Sequence, residues 1–135
     1  MGTARFILIL SALMYSALGV MCLWQPEMLL PHVGIIIKET ITKSDIRTVY
    51  GGMELGLALF LWASVFAKGL LKSGLLLNFL LFLGLVGGRG FSYYYDGNPG
   101  QVGLILGGIE VVGLLFSIIA MFKAGDATAS GAKAA

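Results

Sequence analysis

The sequence predicts an all-α integral membrane protein: a four-helix bundle running up-down-up-down, with an interfacial segment between helices 1 and 2. Three observations carry this prediction. Of 135 residues, 58% are hydrophobic and 12% charged, and mean hydropathy is +0.92. Ordinary soluble domains have about 45–50% apolar and about 25% charged residues. A chain this short hides only about two-thirds of its surface when folded, so the apolar surplus must face lipid. Second, residues 4–24, 48–67, 70–94 and 101–122 are each long enough to cross about 30 Å of hydrocarbon at 1.5 Å per residue. Third, short turn-rich connectors separate the last three runs, which makes successive spans antiparallel. Together the spans make one transmembrane domain, residues 1–123, followed by a tail, 124–135.

Each element has its own signal. The first run reads as a retained helix: Val20-Met21-Cys22 lacks the small residue that precedes a lipoprotein cysteine, and no Ala-x-Ala-like cleavage site follows. Residues 25–45 hold Met28-Leu29-Leu30, Pro31-His32 and Ile35-Ile36-Ile37. They are too apolar for a solvated loop and too broken to span, which predicts a segment lying on the membrane surface. Ser44 and Asp45 offer a capping oxygen and a carboxylate for a helix start, so the second helix is expected to begin there. Lys68-Gly69 and Lys72 mark the next turn, and Asp96-Gly97-Asn98-Pro99-Gly100 the last. The Ala/Gly/Ser/Thr-rich tail from Ala124 has no apolar periodicity and is expected to be disordered.

Cation placement predicts orientation. Arg5, Lys68, Lys72, Lys123 and Lys133 fall on one side; Lys38 and Lys43 fall on the other, with Arg47 and Arg89 assigned to the bundle. Cytoplasmic loops are enriched in Lys and Arg, so both termini are expected in the cytoplasm. One cysteine forms no internal disulfide and one histidine no histidine-rich metal site; no metal and no cofactor is expected. A net charge of +2 without a Lys/Arg cluster leaves no footprint for nucleic acid. No nucleophile elbow, metalloprotease helix or phosphate-binding glycine loop is present.

Polar residues within the apolar runs mark the candidate site, because an ionisable group at the bilayer centre costs about 2.5–3.5 kcal/mol and so usually faces the bundle and a partner. They are Arg47, Glu54, Arg89 and Glu110, with Asn78. At 100° per residue Arg47, Tyr50, Gly51 and Glu54 share one face. Asn78, Leu85, Arg89, Ser92 and Asp96 share another, as do Gly103, Gly107, Glu110, Gly113 and Ser117. Glu54 and Arg89 sit roughly 9 and 7.5 Å below the same surface at helical rise. Arg89 is therefore expected to bridge Glu54 and Glu110, with Arg47 and Asp96 nearer the mouth, where they pair with each other or with Asp45. A planar guanidinium suits two acceptors. Two readings stand: structural ion pairs fixing helix order, or a recognition site for a ligand headgroup.

The remaining features read as scaffold. Gly52/Gly56, Gly84/Gly88 and Gly103/Gly107 have the spacing for close helix packing in lipid, while Gly51, Gly107 and Gly113 sit on polar faces where they would leave room. Tyr93-Tyr94-Tyr95 and Trp24 suit an interfacial belt, and His32 an interfacial side chain. Ser11, Tyr15 and Cys22 form a mildly polar stripe that would complete a cavity wall.

The run Asp45-Ile46-Arg47-Thr48-Val49-Tyr50-Gly51-Gly52-Met53-Glu54-Leu55-Gly56, with Gly88-Arg89, Ser92, Asp96-Gly97 and Glu110, resembles the bacterial membrane family catalogued as domain of unknown function 4345. The resemblance covers about residues 5–122. It implies a small four-span protein of the broad DoxX-like kind in a bacterial inner membrane, and brings no activity or cofactor. The functional expectation is binding of a lipid-like or isoprenoid ligand, or service as an accessory subunit. Partners would be membrane lipid, a hydrophobic small molecule, and a membrane protein or second copy. The alternative is a membrane enzyme, an isomerase or quinone-linked oxidoreductase, with Glu54 or Glu110 as acid/base.

Overall fold

The computed structural model describes residues 2–132, and among them the chain is helical with no strand. Helix α1 spans Gly2–Trp24. After it come the short α2, Pro26–Leu29, and a 3₁₀ turn, Leu30–Val33, closed by Gly34 at φ 80°. Left-handed backbone of this kind favours glycine. Helix α3, Thr40–Ile46, runs into a π-helical segment, Arg47–Met53, and on into α4, Glu54–Phe66. A 3₁₀ turn at Lys68–Leu70 leads to α5, Leu71–Asp96, and Gly97 at φ 90° turns the chain into α6, Gly100–Ala132. Four stretches are long and apolar enough to cross a membrane: Gly2–Trp24, Thr40–Phe66, Leu71–Asp96 and Gly100–Ala124. The chain is a multi-pass membrane protein by that measure.

Glycines report the register. A Cβ on Gly19 would stand 2.8 Å from Leu55, and one on Gly51 would stand 3.1 Å from the Leu23 backbone. As the α1 number falls the partner number rises, so the two helices are antiparallel. Trp62 Nε1 donates to Ser16 Oγ at 3.2 Å along the same seam. Gly74 of α5 abuts Ser64 of α4 beside Leu8, and Gly113 of α6 lies under the Phe82 ring. Since α1 also packs on α6, the four long helices close in the order α1, α4, α5, α6. The apolar core lies at the end where α1 begins and α4 turns into α5, around Leu8, Ala12, Leu61, Leu75 and Ala120. We call this the core end; the opposite, loop end carries residues 25–39 and the α5–α6 turn.

Two expectations change. The second membrane helix starts at Thr40, not at Ser44: Lys43 N–H already donates to the Glu39 carbonyl at 3.2 Å, and Ser44 instead lends its carbonyl to Thr48 Oγ1 at 3.0 Å. Gly56, Gly84 and Gly88 meet no neighbouring helix within 4 Å, and Gly52 meets only the Arg47 carbonyl of its own turn. Spacing of four marks a common face but not which way that face points. Helical backbone is described past Ala124 as far as Ala132. Alanine has the best helix propensity, and extending a formed helix needs no new nucleus. Lys133 lies outside the described residues.

The segment after α1 is tied down at selected points. Pro26 and Leu30 are buried while Met28, Ile36 and Ile41 stay exposed. Lys43 of α3 forms an ion pair with Glu27 of α2, clasping the segment across its base. That pairing holds the Glu27 carboxyl below the usual glutamate range.

Candidate functional site at the loop end

The best-defined polar contact joins α5 to α6. Arg89 Nε donates to Glu110 Oε2 at 2.6 Å and Nη2 donates to Oε1 at 2.5 Å, a fork-on-fork pair. Gly107, one turn before Glu110, makes room for it: a Cβ there would stand 2.8 Å from Arg89 Cδ. The glycine in the polar stripe seats the arginine stem. Both partners are largely covered, with side chains 32% and 12% exposed.

The expected bridge from Arg89 to Glu54 does not form. Among the described residues the ion pairs are Arg89–Glu110 and Lys43–Glu27, so Arg47 pairs with neither Asp96 nor Asp45. Glu54 Oε2 and Arg47 Nε are both buried without a hydrogen-bond partner. The cause is local geometry. The 100° arithmetic assumes an α-helix, but Arg47–Met53 is π-helical, with i→i+5 bonding. The wider turn aims Gly51 at Leu23 of α1, so the room expected beside it is filled by backbone, and leaves Tyr50 48% exposed.

The other candidates separate by depth. Ser92 donates to Asp96 at 2.8 Å within the last turns of α5, an exposed pair at the loop end. Asn78 is fully buried toward the core end, where its Nδ2 donates to Ser117 Oγ at 2.8 Å and Ser117 in turn donates to the Gly113 carbonyl. The Asn78 Oδ1 has no partner. Between these levels sits Tyr15 of α1, 3% exposed, its ring tilted against Phe82 at 6.4 Å. Its hydroxyl is buried without a hydrogen-bond partner. Sequence reasoning gave Tyr15 only a place in the wall. Its signal was its position, one turn from Gly19 and from Ser11 on the face that packs inward.

Open space gathers around Arg89. A cavity of about 430 Å³ is lined by His32, Gly34, Arg89, Pro99, Gln101 and Leu106, with no acidic side chain on its wall. A second, of about 340 Å³, lies over Gly84, Leu85, Gly88, Arg89, Ser92 and Pro99. A third, of about 440 Å³, touches Val86, Arg89, Tyr93, Gly107 and Glu110. Arginine has five donors; two serve Glu110, and Arg89 lines all three spaces. The chemistry available is donation to acceptor groups on a bound molecule. His32 and Gln101, which no sequence pattern marked as site residues, reach the same cavity by way of the loop and the α6 start. Among the described residues no group of three or more His, Cys, Asp and Glu could hold a metal ion.

Comparison with known proteins finds no match among curated proteins and none among solved structures. A family model does match, over residues 3–121, nearly the whole length of the membrane-embedded chain. The protein with this Arg89–Glu110 pair and its four membrane-compatible helices therefore belongs to the family described as Domain of unknown function (DUF4345).

Proposed function

We propose that this protein of the bacterial inner membrane, its termini cytoplasmic, binds a lipid-like or isoprenoid molecule at the loop end, with Arg89 as the recognition point. The observation that carries the reading is the position of one guanidinium, anchored by Glu110, at the meeting of three spaces. Glu110 cancels its charge, so the pair favours a headgroup with carbonyl, hydroxyl or other acceptor oxygens. A Cβ on Gly84 or Gly88 would meet nothing within 4 Å, and the space over both glycines continues to Arg89, which leaves room for an apolar chain. Both Glu110 oxygens already accept from Arg89, which leaves Glu54 as the freer carboxyl for the enzymatic alternative.

Native mass spectrometry of protein extracted gently from its own membrane tests the reading. A small molecule should stay bound to the wild type and be lost from Gly88→Leu, which fills the channel without touching the ion pair. An empty wild type sinks ligand binding; a retained polypeptide with an empty cavity makes the chain an accessory subunit.

A further inference from the structure

The cavity of about 430 Å³ and the space of about 440 Å³ differ in the charge they meet. Arg89 lines both, whereas Glu110 lines the second and not the first. The ion pair is neutral as a whole but polarised, with its cationic member on the wall of the first. Arg89 commits Nε and Nη2 to Glu110, while its Nη1 makes no hydrogen bond among the described residues and is not enclosed. Two more polar side chains belong to the same wall, His32 from the 3₁₀ turn Leu30–Val33 and Gln101 from the first turn of α6. From this wall we propose that the cavity holds the phosphate of a lipid headgroup, with His32 as a second anchor alongside Arg89. The inference rests on the ligand-binding reading above and gives its headgroup a chemical class.

The connector is built to keep His32 in place. Leu30 is buried, the Ile35 N–H donates to the Leu30 carbonyl at 2.9 Å and the Gly34 N–H to the Pro31 carbonyl at 3.1 Å, and the turn packs against α6. His32 and Gln101 themselves are exposed, so a molecule entering the cavity reaches both without displacing the core. No acidic side chain lines the cavity, and a phosphate there meets no like charge on the wall. Donor count favours the same class. A guanidinium donates in a planar fork, an imidazole donates from one nitrogen when neutral and from both when protonated, and a carboxamide adds its NH₂. A hydroxyl has two lone pairs and cannot serve all three; the oxygens of one phosphate can. Depth agrees as well. Gly34, Pro99 and Gly100 on the wall belong to the connectors of the loop end, where the chain leaves the hydrocarbon for the headgroup layer, and that layer is where lipids carry their anionic groups.

Two probe lipids with the same acyl chains test this, phosphatidic acid and diacylglycerol, which differ by the phosphate alone. Each is offered to the full chain in nanodiscs, and the amount retained is read by native mass spectrometry. Phosphatidic acid should be retained about tenfold more strongly, the effect of one charge-assisted hydrogen bond. His32→Ala, at an exposed position, should remove most of that preference, and His32→Gln, which keeps a donor, should restore part of it. Inorganic phosphate at matched concentration should leave the lipid in place; displacement would make this a site for free phosphate and overturn the lipid source. Equal retention of the two lipids overturns the inference and leaves the reading it rests on intact, as does a preference unchanged in His32→Ala. Retention of neither lipid overturns it too, while extraction from the native membrane decides the broader reading separately.

Discussion

Arg89 and Glu110 act as a unit, since each satisfies two polar atoms of the other. Truncating one partner strands the other, at a cost of about 3 kcal/mol for a buried pair. Arg89→Ala and Glu110→Ala should each lower stability by about that much in thermal unfolding in detergent, and the Arg89→Glu/Glu110→Arg swap should recover most of it. A stable single variant would show that the pair contributes little to the fold. Helical spacing and rise made this contact legible, because α5 and α6 are regular helices over the residues involved. The same arithmetic misplaced the Glu54 contact, since nothing in Thr48-Val49-Tyr50-Gly51-Gly52 announced a change of helical pitch. Tyr15 was hidden for another reason: one tyrosine in an apolar run fits a belt, a wall or a site equally well until its neighbours are known.

Among the elements, glycines divide into two kinds that composition cannot separate. Gly113 is roofed by the Phe82 ring, so Gly113→Ala should overpack the α5–α6 seam and cost about 1–3 kcal/mol. Gly84 faces open space, and Gly84→Ala should raise stability by about 0.5–1 kcal/mol through helix propensity. Unfolding midpoints of the two variants should move in opposite directions. The α2–α3 clasp has its own signature. With the Glu27 carboxyl held below its usual range, the contribution of the Lys43 pair is fully present above the unfolded glutamate pKa and is lost as pH falls through the folded one. Hydrogen exchange in residues 26–43 should accordingly quicken on acidification and with added salt, and Glu27→Gln should remove that dependence. Because the Lys43 and Glu27 side chains are 35% and 51% exposed, solvent screens the pair, and the effect is local and leaves global unfolding nearly unchanged.

For the whole molecule, composition and the four apolar runs were enough to give the helical membrane fold, because lipid admits few other solutions for a chain this apolar. Where each helix turns its faces was not legible: patterning is weak when both lipid and core are apolar, and only contacts such as Gly74 on Ser64 resolve it. Orientation remains an expectation from Lys and Arg placement. Reporter fusions after Asn98 and after Phe122 should give opposite signals, the second cytoplasmic; like signals would contradict four spans. The π-helical segment Arg47–Met53 has a last consequence. It packs one residue more into its length than an α-helix would, so it acts as slack in the thread. Deleting Gly52, whose own position abuts no other helix, should let the segment rewind as α-helix, with the shortening absorbed on the spot and the seam between α1 and α4 left in register.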